Sequence, residues 1–287
     1  MTRRIGIVSP GAMGGPIGRS LAVGGADVVV ALAGRSERSR RRAAAWRLDD
    51  VRDLEALVSA SDVVLSVVPP AVALEVASDI AAALGSTGVQ LTVVDANAIS
   101  PARAREVARA IIAAGSRYVD GGIVGGPPAP GGRTDLLLSG DGADDLAAAL
   151  TTDELVATAI GVDPTAASAL KMCYAAWSKG TTALLISIRA VAQRAGIDDA
   201  LVDLWGRNQP AVLARSNGAG SVAGRAWRWV DEMAEIARTF EDAGVPGGAA
   251  SAAKLLYERL ASFKDIDGAP SIDQLVATVL ERGPDNR

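Results

Sequence analysis

A glycine-rich turn near the start of the chain contains the residues best suited to hold a ligand. The segment from residue 5 to 18 has the pattern of a short apolar strand, a turn and the start of a helix. Its glycines follow G-x-G-x-x-G, except that serine stands in the first position. Such a turn points backbone N–H groups and the positive end of a helix dipole at a pyrophosphate. An ordinary glycine turn remains the alternative; otherwise the sequence predicts dinucleotide contacts at Ser9, Pro10, Gly11, Ala12 and Met13.

The end of the expected second strand indicates which dinucleotide binds. NAD sites usually place an acidic residue there, about 20 residues after the glycines, to bind the ribose hydroxyls. Here Gly34, Arg35 and Ser36 occupy that place, and the first acid is Glu37. Arginine can pair with a 2′-phosphate, and serine can donate a hydrogen bond to it. The sequence therefore predicts NADP(H) as the cofactor, and we interpret the arginines at 40–42 as a solvent-facing helix surface.

The first half of the chain alternates β-branched runs with alanine-rich stretches, which predicts an α/β fold with a doubly wound parallel sheet. We expect strands at about residues 4–8, 27–33, 63–67, 90–95, 117–121 and 135–139. Beyond residue 163 the pattern is helical, with one long helix over 165–195 and breaks at 217–220, 244–248 and 268–270. The predicted domains are a Rossmann NADP-binding domain at 1–163 and an all-helical substrate and dimerisation domain at 164–287.

Composition narrows the possible functions. The 287 residues are 49% hydrophobic and 22% charged, which is typical of a soluble globular protein. No apolar run approaches the roughly 20 residues of a membrane span, and no secretory signal is evident, so we expect a cytoplasmic protein with no membrane partner. One cysteine and no histidine leave no disulfide framework, transition-metal cluster or histidine catalysis. A net charge of −4 argues against nucleic acid as a partner.

Five motifs together carry a family resemblance. They are Ser9-Pro10-Gly11-Ala12-Met13-Gly14, Val67-Val68-Pro69, Asp95-Ala96-Asn97-Ala98-Ile99-Ser100-Pro101, Asp120-Gly121-Gly122-Ile123-Val124-Gly125-Gly126, and the helix from Gly161 through Lys171 to Ala175. In this order they resemble the β-hydroxyacid dehydrogenase superfamily, which includes 3-hydroxyisobutyrate dehydrogenase, 6-phosphogluconate dehydrogenase and the imine reductases. The chain is most similar to a 6-phosphogluconate dehydrogenase-like branch with its own C-terminal domain.

The resemblance implies roles for particular residues. Lys171 corresponds to the catalytic lysine, a general acid/base beside the reacting carbon. Tyr174 and Ser178 continue its helical face. Tyr174 either orients the substrate or shares the proton, or it is a core tyrosine. The implied additional cofactor contacts are Val68, Pro69 and Asn97. The implied substrate contacts are Ile123, Val124, Gly125, Gly126 and Ser178.

Three departures from the family concern substrate recognition. Val124 replaces a serine that hydrogen-bonds a substrate carboxylate in relatives, and Tyr174 and Ala175 stand where asparagine is usual. The later lysine–aspartate pair has no counterpart near residues 230–232. The hydride-transfer residues are thus retained while hydroxyacid recognition is altered.

We expect an NADP-dependent oxidoreductase acting on a small carbonyl or hydroxy compound. Imine reduction or reductive amination ranks second, because imine reductases commonly replace the lysine that is retained here as Lys171. A non-catalytic NADP-binding redox sensor is the third hypothesis. The resemblance also implies a homodimer formed through the long helix. Four tryptophans either line an apolar substrate pocket or anchor the core and interface: Trp177, Trp205, Trp227 and Trp229.

Overall fold

The structure is a computed structural model that describes residues 3–264, 266 and 268–281. The chain forms two compact units that divide after Met172. The predicted domain boundary after residue 163 lies slightly earlier, just before the helix in which the division falls.

The first unit is built on an eight-stranded sheet with the order β3-β2-β1-β4-β5-β6-β7-β8. The strands from β3 to β6 run parallel, β7 is antiparallel to β6, and β8 is parallel to β7. The strands are β1 (Arg4–Ile7), β2 (Asp27–Val30), β3 (Asp49–Asp50), β4 (Val63–Ser66), β5 (Thr92–Asp95), β6 (Arg117–Val124), β7 (Thr134–Ser139) and β8 (Leu155–Ala159). The prediction of a Rossmann-type α/β fold is confirmed.

Helices cover both faces of this sheet. One core cluster includes Ile17 and Leu146, and the other includes Ile80 and Ile111. Central strands therefore have apolar side chains on both faces, as expected for a buried parallel sheet. The helices are α1 (Gly14–Val23), α2 (Glu37–Ala45), α3 (Leu54–Ala60), α4 (Ala73–Thr87), α5 (Pro101–Ala113), α6 (Ala143–Leu150) and the first part of α7 (Ala166–Ala175).

The sheet differs from the sequence prediction in three places. Strand β3 was not predicted because it is two residues long and consists of aspartates, which disfavour strands. Strand β8 was not predicted because its sequence, Leu-Val-Ala-Thr-Ala, is short and alanine-containing. Strand β7 reverses direction because the Gly- and Pro-rich segment 125–133 is too short for a crossover helix.

The second unit consists of helices over its described residues, which confirms the all-helical prediction. The predicted helix over 165–195 is continuous in outline, but a π-helical turn at Ala176–Gly180 separates α7 from α8. The later helices are α8 (Thr181–Arg194), α9 (Asp198–Asn208), α10 (Pro210–Asn217), α11 (Ala226–Asp242), α12 (Gly248–Leu260) and α13 (Ile272–Glu281), with a 3₁₀ segment at Gly218–Arg225. None of the described helices is long and apolar enough to cross a membrane.

A buried arginine joins three helices of this unit. Arg189 on α8 is 5% exposed and forms a two-pronged ion pair with Asp198 on α9, with N–O distances of 2.6 and 2.7 Å. Its third nitrogen lies 3.5 Å from Ser216 Oγ and 3.4 Å from Asn217 Oδ1 at the end of α10. Bidentate arginine–carboxylate pairs are strong and geometrically specific. Arg189 therefore fixes how α8, α9 and α10 pack.

We expect Arg189→Met to destabilise the protein by about 3 to 5 kcal/mol, because Asp198 would lose its partner in a partly buried place. Urea unfolding followed by tryptophan fluorescence measures this directly, since Trp177, Trp205, Trp227 and Trp229 lie in the second unit. The control is Arg194→Met, an exposed arginine on the same helix, which should change stability by no more than about 0.5 kcal/mol. Equal losses in both variants would contradict the assignment.

Candidate functional site

The predicted cofactor residues of the first unit gather at one edge of its sheet. Strands β2, β1, β4 and β5 are consecutive and parallel, so the loops at their carboxyl ends line this edge in that order. Arg35 and Ser36 follow β2, the turn 9–13 follows β1, Val68 and Pro69 follow β4, and Asn97 follows β5. Ligands of open α/β sheets bind outside the carboxyl ends of the strands. The structure thus brings the predicted cofactor residues together.

The glycine turn has a different constraint at each glycine. A Cβ on Gly14 would lie 2.3 Å from the Ser9 carbonyl oxygen, and one on Gly15 would lie 2.1 Å from the Trp46 ring. These two glycines let α1 approach β1 and α2 closely. At Gly11 a Cβ would meet only Ser9 Oγ, at 3.8 Å. Open space at Gly11, together with an α1 amino end that carries no acidic residue in its first turn, fits a pyrophosphate.

Arg35 reaches from the end of β2 toward this turn. Its Nη2 donates a hydrogen bond to the Val8 carbonyl oxygen at 3.2 Å. Gly34 supplies the positive φ of +68° that the chain needs before the arginine. Ser36 is exposed and caps α2 by accepting a bond from Ser39 N at 3.3 Å. Arg35 thus places a guanidinium at the edge of the sheet where the predicted cofactor residues gather.

Four polar side chains form a buried row across the middle of the sheet. Ser66, Asp95, Asp120 and Ser139 occupy matching register positions on β4, β5, β6 and β7. They are 3%, 1%, 0% and 0% exposed. We call these four residues the polar row. Because buried polar groups need partners, their hydrogen bonds show what the row holds in place.

Asn97 is held by the first half of the polar row. Its Nδ2 donates to Ser66 Oγ at 3.2 Å and to Asp95 Oδ1, and its Oδ1 accepts from the Val68 backbone N–H at 2.6 Å. At 2% exposed, Asn97 lies beneath the loop of Val68 and the exposed Pro69. Its amide therefore fixes the loop that follows β4.

The second half of the polar row holds the amino end of α7. Asp120 Oδ2 accepts from Ser168 N at 2.7 Å, and Asp120 Oδ1 accepts from Ser168 Oγ at 2.6 Å. Ser139 Oγ accepts from Ala167 N at 2.9 Å. Two otherwise unsatisfied N–H groups of the first helical turn are thereby satisfied by side chains of the sheet. Lys171, half-buried, follows one turn later on α7.

Burial changes the acidity of the two carboxyl groups in the row. It raises the pKa of Asp95 to about 8, with the charge of Asp120 adding to the effect and hydrogen bonds from Asn97 opposing it. It raises the pKa of Asp120 to about 6, against the lowering effect of bonds from Ser168, Ser139 and Tyr118. Desolvation dominates in both groups because it penalises the ionised form. At neutral pH the row thus favours one carboxylate, on Asp120, beside a protonated Asp95.

The predicted substrate loop lies at the upper end of β6. This strand continues four residues past the level at which β5 ends, paired there only with β7. Ile123 is 7% exposed and belongs to the core of the sheet, whereas Val124 is half-buried and Gly125 and Gly126 are exposed. Val124, the last residue of β6, and the two glycines that follow it are therefore more accessible to a ligand than Ile123 is.

Tyr174 and Ser178 belong to the second unit, whereas the predicted cofactor residues belong to the first. Tyr174 is 51% exposed, so the alternative of a core tyrosine is wrong. Ser178 lies in the π-helical turn, where its carbonyl oxygen accepts from Arg215 Nη2 at 2.6 Å. The neighbouring Lys179 forms a buried ion pair with Glu232.

Sequence reasoning did not assign roles to the two aspartates of the polar row, nor to Ser139 and Ser168. A signal was present: the apolar runs of β4, β5 and β7 each end in a serine or aspartate, and a fourth polar residue interrupts β6. Each polar residue closes or divides an otherwise buried strand. Pairing that is parallel from β4 to β6 and antiparallel between β6 and β7 then aligns them.

Comparisons with known proteins agree with this geometry. Residues 4–183 match the family model of the NAD binding domain of 6-phosphogluconate dehydrogenase. Residues 192–260 match a domain of unknown function, DUF1932. An uncharacterized 28.5 kDa protein in the 7S RNA 5′ region of Methanothermus fervidus is 28% identical over 178 residues, which cover 62% of this chain and 66% of that relative's length.

Solved structures share the fold over nearly the whole chain. A conserved hypothetical protein from Sinorhizobium meliloti 1021 has a TM-score of 0.70 and 25% identity, covering 99% of this chain and 97% of that one. The 3-hydroxyisobutyrate dehydrogenase of Mycobacterium tuberculosis, solved with L-serine, has a TM-score of 0.72 at 18% identity, with coverage of 97% and 99%. A reductive aminase from Aspergillus terreus, solved with NADPH and ethyl levulinate, has a TM-score of 0.57 at 18% identity, with coverage of 96% and 99%.

The family match spans more than half of the 287 residues. The edge of the sheet has the glycine turn and the loops that a dinucleotide-binding domain needs. The chain belongs to the family of the NAD binding domain of 6-phosphogluconate dehydrogenase, which marks it as an oxidoreductase that depends on a nicotinamide dinucleotide.

Proposed function

We propose that the protein transfers a hydride between NADPH and a small carbonyl or hydroxy compound, with Lys171 as the general acid/base. The observation that carries this proposal is the packing of α7 on β6. A Cβ on Gly122 would lie 2.9 Å from Lys171 Cβ, so the lysine stem sits directly on the strand that leads into the substrate loop. When bound, the cofactor supplies the hydride at its nicotinamide ring.

The role of Lys171 is to move one proton. In reduction its ammonium donates a proton to the oxygen of the carbonyl group; in oxidation its amine accepts the hydroxyl proton. The chain has no histidine to take this part. Tyr174, exposed on the same helix, is proposed to orient the substrate.

NADPH rather than NADH is proposed because of the charge at the end of β2. Arg35 lies beside the end of β1 through its bond to the Val8 carbonyl, and Ser36 is exposed at the amino end of α2. Some solved proteins of this fold hold NADP⁺ or NADPH, which supports the same choice.

The substrate is proposed to lack the carboxylate of a hydroxyacid. Val124, at the mouth of the loop, offers a branched apolar side chain instead of a hydroxyl. A carbon–nitrogen double bond is the second candidate, favoured by this apolar residue and by the reductive aminases that share the fold. It ranks second because Lys171 is retained. The third candidate, a redox sensor without turnover, is distinguished by assaying NADPH oxidation over aldehydes, ketoacids and cyclic imines.

A second copy of the chain is proposed as the partner of α8. Tyr174, Trp177, Leu184 and Val191 are 51%, 67%, 58% and 69% exposed. Leu184 and Val191 are seven residues apart on α8, so they lie on one stripe of that helix, and Trp177 precedes them in the π-helical turn. Thr181 and Ile188 complete the stripe without adding charge. An uncharged, self-complementary stripe suits a twofold interface between copies.

We predict that Arg35→Ala weakens NADPH binding about tenfold or more while NADH binding changes little, because a charge-assisted contact of about 1.5 to 3 kcal/mol is lost. Fluorescence titration with both cofactors gives the two dissociation constants. The control, Arg41→Ala, removes an exposed arginine of α2 that pairs with Glu37 and should leave both constants unchanged. Equal weakening of both cofactors by Arg35→Ala would exclude the NADP assignment.

We predict that Lys171→Met lowers kcat by about a hundredfold to ten-thousandfold with NADPH affinity nearly unchanged, because only the proton transfer is lost. Steady-state kinetics on whichever substrate the NADPH assay identifies would show this. Tyr174→Phe should cost less. Lys254→Met, which changes a half-buried lysine that pairs with Glu258 on α12, serves as the control. Near-native turnover in Lys171→Met, with loss in Tyr174→Phe, would instead favour the imine-reductase mechanism.

We predict that Leu184→Glu converts a dimer into a monomer of 29.2 kDa, because two carboxylates would face each other across the twofold axis. Light scattering at micromolar concentration reports the mass. Leu255→Glu changes an equally exposed leucine, 59% against 58%, on α12 and should leave the dimer intact. A wild-type protein that is already monomeric refutes the proposed interface.

A further inference from the structure

We propose that Asp120 is a positioning residue: its buried carboxylate holds the amino end of α7 on the sheet and so sets where Lys171 stands. This inference rests on the proposed role of Lys171. Asp120 itself is fully buried, so it acts through the helix and does not touch the substrate.

The contacts of Asp120 are unusually complete for one side chain. Its two oxygens accept four hydrogen bonds: from Ser168 N at 2.7 Å, Ser168 Oγ at 2.6 Å, Ser139 Oγ at 3.3 Å and Tyr118 OH at 3.4 Å. The two shortest come from α7. A carboxylate at the amino end of a helix also interacts favourably with the helix dipole. Asp120 therefore binds the helix by charge as well as by hydrogen bonds.

Glycine at position 122 makes this attachment close. Asp120 and Gly122 are two residues apart on β6, so they face the same side of the sheet. A Cβ on Gly122 would lie 2.8 Å from the Ala167 carbonyl oxygen and 2.9 Å from Lys171 Cβ. The helix thus rests on the bare backbone of the strand at the turn that bears the lysine. Any lift at its amino end changes the position of Lys171.

Ser168 and Lys171 are three residues apart, so both lie on the face of α7 that meets β6. The distance from the Asp120 contact to the lysine is one helical turn, about 5 Å. Displacements near 1 Å in a catalytic group can cost about a hundredfold in rate. Because the Asp120–Ser168 contact lies so close to Lys171, we expect it to affect the catalytic rate as well as the stability of the protein.

Burial and the neighbouring hydrogen bonds together set the charge state of this contact. Asp95 faces Asp120 from β5, Tyr118 from β6, Ser139 from β7 and Ser168 from α7. Burial raises the pKa of Asp120 to about 6, and the bonds from Ser168 oppose this by favouring the ionised form, so the carboxylate is ionised at neutral pH. Because the two Ser168 bonds favour the carboxylate, its protonation below about pH 6 should weaken the attachment of α7.

The test compares Asp120→Asn with Asp53→Asn. Asp53 caps α3 by accepting a bond from Ala56 N at 2.9 Å, so the control makes the same substitution at a helix cap that carries no proposed chemical role. Hydrogen exchange, measured by mass spectrometry without cofactor or substrate, should speed up about tenfold to a hundredfold in the first turn of α7 for Asp120→Asn. Exchange there should not change for Asp53→Asn.

Kinetics provide the second readout. We expect Asp120→Asn to lower kcat by about tenfold or more, with KM and the NADPH dissociation constant within about twofold of wild type. Gly122→Ala should do the same, because the added Cβ would press on the Ala167 carbonyl oxygen and Lys171 Cβ and displace α7 while the Asp120 side chain itself is unchanged. If Asp120→Asn does not fold, Ser168→Ala tests the contact instead, since it removes one bond and keeps the N–H bond.

The outcomes separate this inference from the proposed function. Faster exchange in α7 with reduced kcat supports positioning by Asp120. A lower urea midpoint with unchanged α7 exchange and unchanged kcat overturns it and leaves Asp120 a stabilising residue only. If Lys171→Met retains full turnover, the proposed function fails, but the exchange measurement still decides whether Asp120 holds the helix.

Discussion

The buried polar row Ser66, Asp95, Asp120 and Ser139 is the constraint on which the rest of the nucleotide-binding unit depends. It lies at the level where β4 and β5 end, with its members in matching register. From this one line of side chains, Asn97 fixes the loop after β4 and Asp120 fixes the helix that bears Lys171. The same set of paired strands therefore positions both the proposed cofactor loop and the proposed acid/base.

Keeping such a row inside a sheet is costly. An ionised carboxylate loses hydration on burial, and two carboxylates on adjacent strands repel each other. The protein reduces the cost by distributing hydrogen bonds unequally. Asp120 accepts bonds from Ser168, Ser139 and Tyr118, whereas Asp95 is contacted by Asn97. Asp95, which accepts fewer hydrogen bonds than Asp120, is thus the carboxyl group favoured to carry a proton.

The raised pKa of Asp95 makes the free energy of unfolding depend on pH. The pKa of Asp95 is raised in the folded protein, from 3.8 to about 8, so the folded state binds a proton more tightly than the unfolded state does. The stabilising contribution is full below about pH 4 and declines as pH rises toward about 8. Most of this contribution is therefore already lost at neutral pH, and it vanishes above about pH 8.

The parts of the fold and of the candidate site that depend on local interactions could be predicted from the sequence, and the parts that depend on distant pairing could not. The glycine turn, the Arg35 position and the helical second unit have signals within a few residues, and the structure confirms the fold they predicted. The reversal of β7 and the existence of β8 depend on pairing between distant segments. The polar row depends on it even more: Asp95 and Asp120 are meaningful only when β5 and β6 align them, and Ser168 joins them from a helix 48 residues beyond Asp120.

The tightly packed residues of this chain can be distinguished from those that are free to vary. The residues that build the frame, from Gly14 and Gly122 to Asp120, are constrained by contacts below 3 Å or by full burial. Val124, by contrast, is half-buried at the end of a ribbon that extends beyond the parallel sheet. A side chain there can change without disturbing the row or the helix. In the proposed function, a change of substrate at Val124 can therefore leave the position of Lys171 unchanged.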